Sequence, residues 1–169
     1  VFAALDHFTP NLTPVREALL RSGSDFSLHF KSSDPTQPYR FPIRAISGIA
    51  AHFHTRALTH IALKQGDRAA AEFENLFHLS RHAKAQPMLM GFAIELMIRA
   101  MAVNVLREGL AAGVWKETEL SRIDAAFADV HLLESLQFAM RAERAALNHW
   151  LDAVLVTKDS DARLAIHKF

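Results

Sequence analysis

From Pro42 onward the apolar residues recur at steps of three and four, the period of a helix with one buried side, and strand-like alternation is nearly missing. The pattern predicts helix after helix. A short first helix is expected to start at Thr13-Pro14, a capping hydroxyl followed by a proline suited to the first helical position, and to stop at Ser22-Gly23-Ser24. Residues 24–41 are expected to be irregular. Phe26 to Phe30 alternates as a short extended segment does, and Pro35, Pro38 and Pro42 forbid a continuous helix from there to the end of the segment.

A long helix is predicted over residues 42–65, burying Ile46, Ile49, Ala50, Phe53, Ala57, Leu58 and Ile61. Gly66 is expected to end it in the left-handed conformation and Asp67 to cap a second helix over 68–84, with Ala70, Phe73, Leu76, Phe77 and Ser80 inward. So tight a link makes the two helices antiparallel neighbours. Pro87 opens a third helix to about Ala112, apolar nearly all round and closed by Gly113, which is expected to be central. A fourth begins near Thr118 with Leu120, Ile123, Phe127 and Val130 on one stripe. The fifth long helix, from Asp129 to about Thr157, is expected to turn Leu133, Leu136, Met140, Leu147, Trp150, Leu151 and Val154 inward, and residues 158–169 form a charged tail.

Composition narrows the function classes. Half of the 169 residues are apolar, and 19 basic residues against 18 acidic ones leave a formal net charge of +1, so no one-signed field is available for nucleic acid. With no cysteine there is no disulfide, thiolate nucleophile or cysteine-held metal. Pro87 to Leu106 is about as long as a bilayer is thick. Glu95, Arg99 and Asn104 would then sit deep in hydrocarbon at a cost of kilocalories, whereas inside a protein Glu95 and Arg99 neutralise each other as an i,i+4 pair. No membrane insertion of this region is expected. The start at Val1 reads as a piece of a longer chain.

The stretch Leu58 to Pro87, with Leu63-Lys64-Gln65-Gly66-Asp67 at its turn and Ala71 beyond, resembles a tetratricopeptide-type helical repeat. Leu58, Thr59, Gly66 and Ala71 fit that pattern, while Asn75 and His78 depart from it and both helices overrun its period of about 34 residues. Phe26 to Phe41, the Gly66-Asp67 hairpin, Leu79-Ser80-Arg81-His82 and Arg141-Ala142-Glu143-Arg144-Ala145 resemble a group of bacterial helical proteins with no established activity. That resemblance implies an N-terminal membrane anchor upstream of this region; compartment and oligomeric state stay open.

Two histidine sets have ligand-like spacing: His78 with His82 below Glu74, and His52 with Arg56 and His60. A zinc site needs three or four converging ligands, and Leu79 stands where a metalloprotease helix carries its glutamate. These histidines are read as solvated or core-edge groups, with His78, His82 and Glu74 as the alternative metal set. Glu143 falls on the expected inward stripe between Arg141 and Arg144, and a buried carboxylate must find a cation. The candidate network is therefore Arg141, Glu143 and Arg144 with Glu95 and Arg99, either locking the last helix to the central one or receiving a peptide end or anion. No phosphate loop, serine elbow or dinucleotide fingerprint is present, and no cofactor is expected. The chain is thus read as one all-α domain of five to six helices in antiparallel hairpins, a repeat-like superhelix or an irregular bundle. Its expected function is a noncatalytic scaffold for a protein or peptide, the alternative being a small-molecule or metal-dependent enzyme using the histidines of the first hairpin.

Overall fold

A computed structural model describes residues 9–24, 42–128 and 130–156. The regular elements among them are all helices: α1 (Thr9–Leu19), α2 (Ile43–Ala62), α3 (Gly66–Lys84), α4 (Leu89–Ala111), α5 (Glu117–Phe127) and α6 (Leu132–Val156). The all-α expectation holds. Helix α1 begins earlier than expected and carries Pro14 inside it rather than at its start. The extended segment expected at Phe26 to Phe30, Asp129 as a cap and the charged tail lie outside the described residues.

Helix α3 is the hub, with α1, α2, α4 and α5 all packed on it, while α2 and α6 both touch α4. The stripes read from the sequence explain this: Ala50, Phe53 and Ala57 of α2 face Phe73, Leu76 and Phe77 of α3 in one core that also takes Ile98, Ala102 and Val105 of α4. Phe53, Phe73, Leu76, Ile98 and Val105 are fully buried. Phe127 brings α5 in, its ring centroid 4.9 Å from Phe77, which in turn stacks 4.8 Å from Phe73.

The α2–α3 turn is sharper than Gly66 suggested. The left-handed residue is Lys64, at φ 60°, and Gly66 is already helical. Gln65 N–H donates to His60 O and Lys64 N–H to Ile61 O, both at 2.9 Å, which is the paired pattern of a Schellman cap. Gly66 is needed for another reason: a Cβ there would overlap the carbonyl of Val114. Asp67 makes no cap and instead accepts from Arg122 Nη1 at 2.7 Å. At the end of α4 the same cap recurs, this time with Gly113 at φ +61° as the sequence suggested. The two turns meet, since Lys64 Nζ donates to Ala112 O at 2.6 Å. Trp115 then plugs the α4–α5 link, its indole against Gly109 and its Nε1 donating to Leu106 O at 3.1 Å.

Helix α6 is oriented differently from the expectation. Among the α6 residues whose side chains are described, Ser135 and Ala139 are buried, Leu136 and Trp150 are half-buried, and Leu133, Met140, Leu147 and Leu151, expected inward, are exposed, while the Val154 side chain lies outside the described residues. Small side chains let two helix backbones approach closely, so Ser135 and Ala139 meet the bundle, with Ala142 and Ala146 half-buried beyond them. Helix α4 is long and apolar enough to cross a membrane by length and composition. Glu95 and Arg99 sit in its middle, buried against protein.

Candidate functional site

A cleft with a volume of about 230 Å³ lies where α3, α4 and α5 converge. Its walls carry Glu74, His78 and Arg81 from successive turns of α3, Arg99 from α4 and Arg122 from α5, beside the ring of Phe77. The aromatic cluster that seats α5 on α3 thereby sets the width of the opening. The Arg99 guanidinium carbon lies 5.3 Å from the centroid of the Phe77 ring, a cation–π distance.

Glu95 and Arg99 form the i,i+4 pair expected from the sequence, and both are buried. Arg99 Nε and Nη2 each reach the same oxygen, Glu95 Oε1, at 2.9 Å. The pair is half satisfied: Arg99 Nη1 and Glu95 Oε2 are buried and find no hydrogen-bond partner among the described residues. Arg122, in contrast, has all three of its nitrogens engaged. It forks onto Glu74 at 2.8 and 2.7 Å and reaches Asp67 at 2.7 Å, and hydrogen bonds with Glu74 hold it firmly cationic. Arg81 is exposed and donates to His78 Nδ1. Burial, seconded by the Arg81 charge, pushes the His78 pKa below its ordinary value, against the opposing pull of Glu74. A ring nitrogen that accepts from a guanidinium carries no proton, so the neutral ring holds its hydrogen on Nε2.

The sequence candidates fall in several places. Glu74 and His78 share the cleft, while His82 lines the neighbouring one and places Nε2 3.1 Å from Leu19 O. Both Glu74 oxygens are engaged by Arg122, and no three metal-ligating side chains converge among the described residues. Of the other histidine set, His60 Nδ1 lies 2.8 Å from Gln65 Oε1 and Arg56 Nε donates to Glu72 Oε1 at 2.9 Å. The expected five-residue network is not assembled. Glu143 is half-buried on α6 between Arg141, which is exposed, and Arg144, and no hydrogen bond or ion pair joins these three to Glu95 or Arg99 among the described residues. The α6 rotation is the reason, because turning Ala139 inward carries Glu143 to the margin of the contact.

Sequence reasoning missed Arg122 and Glu72. Arg122 gathers acids 48 and 55 residues away, and Glu72 joins α1 to the hairpin by accepting from Arg16, 56 residues away, at 2.6 Å. Neither has a local spacing signal. Comparison of the chain with protein-family models, with curated proteins and with solved structures finds no match.

Proposed function

We propose that this chain is a noncatalytic interaction module whose α4 and α6 receive an amphipathic helix of a partner protein. The observation that carries the reading is a pair of exposed apolar rows at seven-residue steps: Leu89, Leu96, Val103 and Leu110 on α4, and Leu133, Met140 and Leu147 on α6, each between 39% and 74% exposed. A row repeating every seven residues stays on one side of a helix, where the apolar face of a partner helix can be laid against it. Monomeric proteins seldom leave such rows uncovered. The hairpin order also supports it, since α2 and α6 both pack on α4 while α3 and α5 pack together, the layering by which helical-repeat modules present a face to a peptide.

The test is site-specific photo-crosslinking in the native host from positions 103 and 140, with exposed Arg68 on α3 as the control. One protein captured at both positions and not at 68, and binding the purified domain directly, is the expected result. Equal labelling at all three positions contradicts the reading.

A further inference from the structure

We infer that the cleft between the end of α1 and α3 binds the phosphate group of a small phosphate monoester, held by Arg21 and Arg81. The inference is independent of the α4 and α6 rows, which lie on other helices. The cleft has a volume of about 310 Å³ and takes Arg21 and Ser22 from the turn that follows α1, and His78, Arg81 and His82 from one side of α3. That turn is braced at both ends by one residue of α3: His82 Nε2 lies 3.1 Å from Leu19 O, and Ser24 Oγ donates to His82 O at 3.2 Å. A braced segment gives up little freedom when a ligand settles against it.

The charge of the cleft selects the ligand. Two arginines line it and no acidic residue does. Arg16, Arg56, Arg99, Arg107 and Arg122 each hold a carboxylate, whereas Arg21 and Arg81 meet none among the described residues. Both are exposed; Arg81 donates only to the neutral His78 ring, and Arg21 has no side-chain partner among the described residues. Glu17, one turn before Arg21, and Lys84, next to the cleft on α3, do not line it, and their opposite charges offset each other. Glu74, one turn before His78, has both oxygens on Arg122. The surplus is therefore two positive charges, and the two histidines add to it or leave it unchanged. A phosphate monoester, whose second pKa is about 6, brings nearly two negative charges on three oxygens, enough to take donors from two guanidinium groups. A carboxylate or a phosphate diester is a monoanion and leaves half of the surplus unmet. At about 310 Å³ the space stands at the low end of small-molecule sites, which limits the ester to a short body beside Leu20 and Ala85.

Ethyl phosphate titrated into the purified protein at pH 7.5 and fixed ionic strength tests this, followed in nitrogen–proton spectra by the backbone amides of residues 21–23 and by the Arg81 Nε–H. Saturable shifts at both places are expected, with affinity about tenfold or more above that of diethyl phosphate, which keeps the phosphorus centre and loses one charge. Arg21→Gln and Arg81→Gln, both at exposed positions, should keep a folded spectrum and each weaken ethyl phosphate about tenfold, the worth of one charge-assisted contact. Vesicles containing phosphatidic acid present the same group on a lipid surface, so sedimentation of the protein with them but no response to ethyl phosphate would assign the site to a lipid headgroup and overturn the inference. No saturable shift at residues 21–23 and Arg81, equal affinity for the two ethyl esters, or unchanged affinity in either folded variant would overturn it as well.

Discussion

Glu72→Gln should destabilise this fold more than most single substitutions, although it removes only a charge. The carboxylate is 4% exposed and holds three partners: Arg16 Nη2 at 2.6 Å, Arg56 Nε at 2.9 Å and Asn75 Nδ2 at 3.0 Å. The two cations respond differently to its loss. Arg16 is 30% exposed and can turn into water, a change worth at most about 1 kcal/mol. Arg56 is 11% exposed and is held within the protein, and removing the carboxylate that balances it costs about 3 kcal/mol. For a domain of this size that total, about 3–4 kcal/mol, corresponds to a fall in Tm of roughly 6–16 °C. Thermal and urea unfolding of Glu72→Gln, and of double variants with Arg56→Met and with Arg16→Met, measure it. The coupling of Glu72 to Arg56 should exceed its coupling to Arg16 by at least about 1 kcal/mol. A Glu72→Gln variant within about half a kilocalorie of wild type would refute the idea that this carboxylate fastens α1 and α2 to α3.

Other consequences attach to single positions. Gly66→Ala should destabilise by about 1–3 kcal/mol because its Cβ meets the Val114 carbonyl, whereas Lys64→Gly should be neutral or slightly stabilising, since it relieves a left-handed lysine while giving up the bond to Ala112 O; urea midpoints of the two variants separate these causes. Gly109→Ala should destabilise by a similar amount through overlap with the Trp115 indole, and near-ultraviolet circular dichroism should report the displaced tryptophan. His78 is held neutral in the fold, so its contribution to stability is fully present above its ordinary pKa of 6.5 and is lost as pH falls through the lowered folded value. Urea midpoints measured across that window should therefore fall less with acidification in His78→Gln than in wild type.

How far these features are legible in the sequence depends on the range of the interaction behind each. Phe53 on α2 and Phe73, Leu76 and Phe77 on α3 are legible because bulky apolar residues at helical steps are buried together. On α6 the same rule points the wrong way. Its buried strip is Ser135 and Ala139, which hydrophobicity does not mark, and its bulky residues face outward. Lys64 is hidden by the glycine two residues on, and the Val114 carbonyl that this glycine accommodates is 48 positions distant and has no local signature. The site divides in the same way. Glu95 and Arg99 pair by an i,i+4 spacing, whereas the junction of Arg122 with Glu74 and Asp67 requires knowing that α5 lies on α3.

The central claim is that the seven-residue rows on α4 and α6 are a binding face, and affinity after charge is placed in both rows tests it most directly. A Val103→Glu and Leu147→Glu double variant removes two apolar anchors worth about 1.5–3 kcal/mol each when covered. Both positions are about half exposed in the free protein, so the fold should retain its Tm. Isothermal titration against the protein captured by crosslinking should then show affinity lower by about 100-fold or more with an unchanged melting curve. Unchanged affinity in a folded double variant would contradict the claim.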